Sequence, residues 1–243
     1  MLSTESYIFF IVRSFFSFIK TKPSEYKLLR WIKYKMVFPF YNNKTSGHIN
    51  PFHSWIIRKY IHKGFTVIDV GANRGDYSAR FLKIGAKVVA FEPGTIFEML
   101  VERFKNCKDI SLSKFALGNK NTEIILNEYA DKGISTATKN KGIGRVTNSH
   151  RILCRKLDAF HLSPQFIKID TQGMDYEVIL GAKETLERCK PIVLAEYDSE
   201  LLQERGYKIF DMLKFMDSLG YNFQTIQGWS EVTDILFIPK EKK

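Results

Sequence analysis

From residue 65 onward, short apolar runs closed by glycine or proline alternate with longer stretches in which apolar residues recur every three or four positions. The runs read as strands and the stretches as helices, and their alternation predicts a parallel sheet covered on both faces. TVIDVG (66–71) is the first predicted strand, followed by a helix carrying Tyr77, Phe81 and Leu82 and closed by Gly85. KVVAFEP (87–93) is the second, stopped by Pro93, and TIFEMLVERF (95–104) is an amphipathic helix. ISLSKFAL (110–117) reads as a third strand, and FIKID (166–170) as a fourth, leading into a helix through Tyr176, Val178, Ile179 and Leu180. PIVLAEY (191–197) is the fifth, and the helix YKIFDMLKFMDSLG ends at Gly220. YNFQTI and DILFIP then pair as a hairpin at one edge.

Two regions depart from this rhythm. In 121–160, NTEIILNEY and RILCRKLDAF read as strands, and the glycine-dotted DKGISTATKNKGIGR between them as a loop. At the other end, residues 6–20 drawn as a helix place Ser6, Arg13, Ser17 and Lys20 on one narrow stripe, with phenylalanine and isoleucine over almost everything else. Basic residues then recur at Lys22, Lys27, Arg30, Lys33 and Lys35 among Trp31, Tyr34, Phe38 and Phe40, and YNNKTSGHINP (41–51) is a loop by composition. The expected organisation is therefore an amphipathic, basic helical segment over 1–45 and the α/β domain over 46–243. The apolar run 7–19 is too short for a membrane span of about 20 residues. MLSTES lacks the positive charge of a signal peptide, and no small-residue cleavage site follows.

A chain of 243 residues, 44% hydrophobic and 26% charged, suits one globular α/β domain with an appendage. Its net charge of +11 suggests nucleic acid until it is mapped. Residues 1–64 hold eleven Lys and Arg against two acidic residues, while the rest hold 26 against 24. The body of the domain is nearly neutral, which argues against a nucleic-acid face on it and directs attention to an anionic membrane surface as partner of the N-terminal segment. Cys107, Cys154 and Cys189 have no metal spacing and cannot all pair with one another, which points to a reducing, cytoplasmic setting.

Three motifs carry chemistry. In VIDVGANRGDYS (67–78), a strand ends at Asp69 and Gly71, Asn73 and Gly75 open a turn into a helix. Glycines there let the backbone approach a ligand. The G-x-x-x-G spacing, with an acid two residues before the first glycine, suits the ammonium of a methionine moiety better than a pyrophosphate. Glu92 ends the second strand 23 residues after Asp69, where Rossmann-type folds place the acid that binds ribose hydroxyls. In KIDTQGMDYEVILGA (168–182), alternation puts Lys168 and Asp170 on one face of a buried strand. Such a pair is either a buried salt bridge at the strand tip or a functional pair at the carboxyl edge where open α/β sheets bind ligands. Gly173 turns the chain there, Asp175 enters the next helix, and Glu196 in LAEY ends a strand on the same edge.

VIDVGANRGDYS, VVAFEP, FALGN, Leu157–Asp158, IKIDTQGMDYEVILGA and SLGY occur in the order seen in FkbM-family methyltransferases, which this chain resembles over residues 50–240. The resemblance implies a class I methyltransferase, Rossmann-like α/β fold with a seven-stranded, mostly parallel sheet whose last strand is antiparallel. It implies S-adenosyl-L-methionine as methyl donor and O-methylation of sugar or polyketide-type hydroxyls. By motif match, Asp69, Gly71, Asn73, Gly75 and Glu92 would bind the cofactor, together with their neighbours Ala72, Tyr77 and Pro93, with Ala116 and Leu117 of FALGN, and with Asp170. Two positions depart from the family pattern: Met174–Asp175 replaces a small residue and glutamate, and Gly94 replaces a polar residue after FEP. Asp170, Lys168, Glu196 and Asp175 are the candidate catalytic residues, with His150 and His161 behind them as bases; no cluster has metal-ligand spacing. A nucleic-acid methyltransferase would carry an Asn/Asp-Pro-Pro-aromatic element where DTQG stands. A non-catalytic binding module would not need Asp69, Gly71, Gly75 and Glu92 intact.

Overall fold

The computed structural model describes residues 51–129, 134–137, 145–226 and 232–241. The helix expected over 6–20, the basic aromatic stretch beyond it, the boundary near residue 45 and most of the loop after residue 129 lie outside the described residues.

Helix α1 (Pro51–Tyr60) opens on a proline, whose missing N–H costs nothing in the first turn, and buries Ile56 and Ile57. The main sheet is then built from β1 (Thr66–Val70), β2 (Lys87–Phe91), β3 (Ile110–Ser113), β8 (Phe166–Ile169), β9 (Ile192–Asp198), β10 (Tyr221–Thr225) and β11 (Val232–Pro239), in the order β10-β11-β9-β8-β1-β2-β3. Strand β11 runs antiparallel to both neighbours, and the remaining pairings are parallel. The seven strands and the single reversed strand are those that the resemblance implies.

Alternation along the strands divides the core into two layers. Val67, Val88, Ala90, Phe166 and Leu194 pack with α1, α2 (Asp76–Ile84) and α3 (Phe97–Phe104). Ile68, Val70, Ile167, Ile169 and Val193 pack with α4 (Asp175–Leu180), α5 (Lys183–Cys189), α6 (Ser199–Glu204) and α7 (Ile209–Ser218) on the other face. Both faces are covered, so the central strands are apolar almost throughout, as parallel strands must be.

The run 110–117 is not one strand. Pairing of β3 with β2 ends at Ser113, and Ala116–Leu117 (β4) instead joins a second sheet, β4-β7-β5-β6, with β5 (Thr122–Tyr129), β6 (Ile134–Thr136) and β7 (Val146–Arg155). The break lets Ala116 pack on Cys154 and Met174 while Leu117 enters the main core. Likewise RILCRKLDAF is strand only to Arg155. Leu157–Phe160 is a short 3₁₀ turn ended by His161 with φ 49°, and Asp158 accepts the backbone N–H groups of Glu184 and Thr185 at the start of α5.

Candidate active site

In the sheet order the chain leaves β1 toward β2 and β3, then returns on the opposite side of β1 as β8. The carboxyl ends of β1 and β8 therefore flank the switch point, where open α/β sheets form their ligand crevice. The two exits touch: a Cβ on Gly71, whose φ is +75°, would lie 1.9 Å from the Asp170 carbonyl oxygen. Only glycine permits both that approach and that backbone conformation.

Asn73, itself at φ 51°, donates its N–H to Glu92 Oε2 at 2.8 Å, and Gly94 N–H donates to Oε1 at 2.8 Å. The Glu92 carboxylate is thus pinned between the loops after β1 and β2, with one further lone pair on each oxygen. Burial raises its pKa, opposed by those two hydrogen bonds.

A cavity of about 520 Å³ opens at this edge, within the size range of small-molecule sites. Gly71, Ala72, Asn73, Tyr77, Glu92, Pro93, Ala116, Leu117, Lys168 and Asp170 line it, so most of the residues named from sequence converge. Six do not line it. Asp69 is fully buried beneath it, accepting from Ser78 Oγ at 2.7 Å, with Oδ1 facing Lys168 Nζ at 3.8 Å. Gly75 faces the side chains of Phe104 and Leu100, so its place is set by packing of α2 on α3. Asp175 turns back to accept the N–H groups of Thr171 (2.9 Å) and Gly173 (3.1 Å), which makes it the clamp of the turn after β8. Glu196 stands behind Asp170, bridged to it by Gln172. His150 sits in β7 opposite Leu126, His161 is exposed at its turn, and neither reaches the cavity.

Lys168 and Asp170 do pair, Nζ to Oδ2, at 3.2 Å. Burial alone would strip the lysine of its charge, but the Asp170 and Asp69 carboxylates outweigh it and hold the ammonium above its ordinary pKa. Burial likewise opposes the charge on Asp170, yet Lys168 and hydrogen bonds from Gln172 and Lys168 hold that carboxyl below the usual range. Glu196 moves the other way: burial, then the charges of Asp170, Asp175 and Asp234, push it well above. Asp170, 34% exposed at the cavity wall, is thus the carboxyl held low, and Glu196 behind it the one held high.

Sequence reading missed several residues here. Gln172 lines the cavity and donates its Nε2 to Asp170 Oδ1 (2.9 Å) and Glu196 Oε2 (3.0 Å), from a backbone held at φ 55°. Its carbonyl accepts from buried Thr136 Oγ1 at 2.6 Å, which ties the second sheet to the turn. Ile124 and Leu126 of that sheet, with Ala137 just past β6, form an apolar wall. His53 of α1 joins Tyr77 to Asp234 of β11. The Asn50-Pro51 helix start, with Ile56, Ile57 and Tyr60 spaced behind it, was a sequence signal for α1. The bridging role of Gln172 had none, because it depends on two strands far apart in the chain.

The donor set suits S-adenosylmethionine. Glu92 offers two lone pairs where a ribose diol needs acceptors, and the glycine turn leaves room for close backbone contact. Phe115, Leu117, Ile124 and Leu126 supply flat apolar surface for an adenine, and Asp170 is an anion for an ammonium or sulfonium.

Residues 69–223 match the family model for the methyltransferase FkbM domain. Among solved structures the chain is similar to methyltransferase FkbM from Methylobacillus flagellatus KT, at 16% identity and TM-score 0.51, over 72% of this chain and 43% of that one. It thus spans less than half the length of that protein. It is also similar to a precorrin-6y C5,15-methyltransferase from Geobacter metallireducens GS-15 (12% identity, TM-score 0.47, 77% of this chain and 87% of that one). A SAM-dependent methyltransferase from Aquifex aeolicus is similar at 14% identity and TM-score 0.47, over 90% of this chain and 98% of that one. No curated protein matches the chain. The family match covers well over half of the sequence and includes β2, β8, β9 and the carboxyl end of β1, the strand ends that carry the site. The chain belongs to the FkbM methyltransferase family and is an S-adenosylmethionine-dependent methyltransferase with a class I fold.

Proposed function

We propose that the methyl group goes to a hydroxyl oxygen, and that the acceptor is a sugar within a glycan or glycolipid. The observation that carries this reading is the pole formed at the cavity wall by Asp170, Lys168 and Gln172. There a carboxylate is met by an ammonium at 3.2 Å and by an amide at 2.9 Å. Such a mixture of donors and acceptors fits a polyhydroxylated ring, whose hydroxyls each donate and accept. DTQG (170–173) forms the turn after β8, where an amino-methylating enzyme of nucleic acid would place its Pro-Pro-aromatic element.

The cofactor supplies an electrophilic methyl group when bound. Glu92 would hold the ribose hydroxyls, and the Gly71–Asn73 backbone would carry the amino-acid end. Asp170 would accept a hydrogen bond from a hydroxyl next to the reacting one and so aim the acceptor, while Lys168 and Gln172 fix the carboxylate's rotamer. Much of the rate gain in such an in-line displacement comes from that positioning. Asp170→Asn keeps the shape and loses the charge, so turnover should fall by roughly 10–100-fold, with cofactor affinity changed less.

The test is a panel of methyl glycosides incubated with the enzyme and S-adenosylmethionine, products read by mass and by carbon NMR. A methyl ether on a glycoside carbon supports the reading. Methyl transfer confined to amines or to nucleic acid would replace it.

A further inference from the structure

His53 is buried in the first turns of α1, yet its ring joins two elements distant in sequence. Nδ1 meets the Tyr77 hydroxyl, and Nε2 lies 2.9 Å from Asp234 Oδ2, an ion-pair approach that does not meet hydrogen-bond geometry. Tyr77, in the first turn of α2, lines the cavity, with Lys168 Nζ 4.7 Å from its ring centroid. Asp234 stands opposite Glu196 in the β9–β11 ladder. Helix α1, helix α2 and strand β11 thus bring a carboxylate, an imidazole and a phenol into one line ending at the cavity wall.

The chemistry of the line fixes its polarity. A carboxylate facing Nε2 selects the tautomer with its proton there, which leaves Nδ1 as the acceptor of the Tyr77 hydroxyl proton. The phenol oxygen then has lone pairs to offer. Tyr77 itself stays a neutral phenol, because burial and the charges of Asp170, Asp234 and Asp69 outweigh Lys168. Asp170 is a poor proton sink for the same reason that it is a firm anion: Lys168 holds it low. Imidazole is the side chain whose ordinary titration range is matched to proton transfer at neutral pH.

We propose that Asp234, His53 and Tyr77 form a proton relay that takes the proton of the reacting hydroxyl, with Tyr77 as the residue that touches that hydroxyl. The inference rests on the hydroxyl-acceptor reading above. The acceptor oxygen uses a lone pair to form its bond to the methyl carbon, and the carbon–sulfur pair stays with sulfur. The acceptor's proton passes to Tyr77 Oη as the tyrosine's own proton passes to His53 Nδ1. The positive charge lost at sulfur reappears as an imidazolium facing Asp234. The titratable groups around the line are Lys168, Asp170 and Asp69 at the Tyr77 end and Glu196 beside Asp234.

Two measurements on the full chain test this. In the first, histidine is labelled with ¹⁵N and His53 is assigned among the five histidines by its loss in His53→Gln. The expected spectrum has His53 protonated at Nε2, with a Nδ1 signal that moves in Tyr77→Phe. In Asp234→Asn nothing holds the proton at Nε2, and the two ring signals should show a mixture of tautomers. An Nδ1-protonated tautomer, or a Nδ1 signal indifferent to Tyr77→Phe, overturns the relay whatever the acceptor is. In the second, the methyl glycoside panel is assayed as a function of pH. Tyr77→Phe, which keeps the ring packed on Phe81, and His53→Gln should each lower kcat by about 10²-fold or more, and His53→Gln, outside the cavity lining, should leave KM for S-adenosylmethionine little changed. His53→Gln should also erase the acid limb of the kcat profile, which Asp170→Asn keeps. If glycosides are methylated and both variants match wild type, the relay fails while the hydroxyl reading stands. If wild type methylates no glycoside, the hydroxyl reading fails, and the tautomer measurement still decides the relay.

Discussion

Single carboxylates at this site do different work because their surroundings differ. Glu92 holds two backbone N–H groups and keeps two lone pairs toward the cavity, so Glu92→Ala should weaken S-adenosylmethionine binding by roughly 1.5–3 kcal/mol. Calorimetry checks this, and circular dichroism should show an unaltered fold. Asp175 is spent inside the protein, where burial and then the Asp170 charge push it up to about 6. A raised carboxyl pKa means that the folded state binds the proton more tightly than the unfolded chain, whose value is about 3.9. Its contribution is therefore complete below about pH 4 and is lost as pH climbs through about 6. Relative to Asp175→Asn, the wild type should lose up to about 3 kcal/mol of stability between pH 4 and pH 7. Urea titrations of both proteins at the two pH values measure it.

At the scale of elements, the site depends on how closely β1 and β8 leave the sheet. Gly71 is the contact, and its positive φ and missing Cβ allow the Asp170 carbonyl to sit against it. Gly71→Ala adds a Cβ into that carbonyl and an αL penalty of about 1–2 kcal/mol. The expected outcome is a protein destabilised beyond that figure, with the turn and cofactor binding lost together. A melting temperature unchanged within a degree would show that the two exits separate without cost. The turn after β8 is held three ways, by Asp175, by Thr136 and by the Gln172 amide, which is how a non-glycine residue persists at φ 55° there.

For the whole molecule, charge is unevenly distributed: the surplus lies in residues 1–64, and the remaining chain is near balance. Among the described residues no helix is long and apolar enough to cross a membrane. We propose that the N-terminal segment, taken as residues 1–45, meets an anionic membrane surface, each Lys or Arg near it contributing about 1 kcal/mol. Full-length protein should co-sediment with phosphatidylserine vesicles at low salt, release as salt shortens the Debye length, and ignore neutral vesicles. Equal retention on both, or none on either, would rule out electrostatic docking.

Much of this molecule could be read in the chain itself. Local pattern determined β1, β2, β8 and β9 with helices α2, α3, α4 and α7, because parallel strands buried on both faces must be apolar and their ends need glycine or proline. Spacing within one βαβ unit likewise brought Glu92 to the glycine turn. The break of 110–117 into two sheets was not legible, since Ala116 turns away to pair with Cys154, a partner 38 residues on. Nor was the division of labour among the acids. Asp69, Asp175 and Glu196 looked equal to Asp170 in sequence, and only folding decided which of them Lys168 keeps ionised at the wall and which lie beneath or behind it. His53, Tyr77 and Asp234 come from three elements up to 181 positions apart. Local sequence fixes a residue's type and its place along an element, but distances between elements arise from packing, and it is those distances that set charge and proton position.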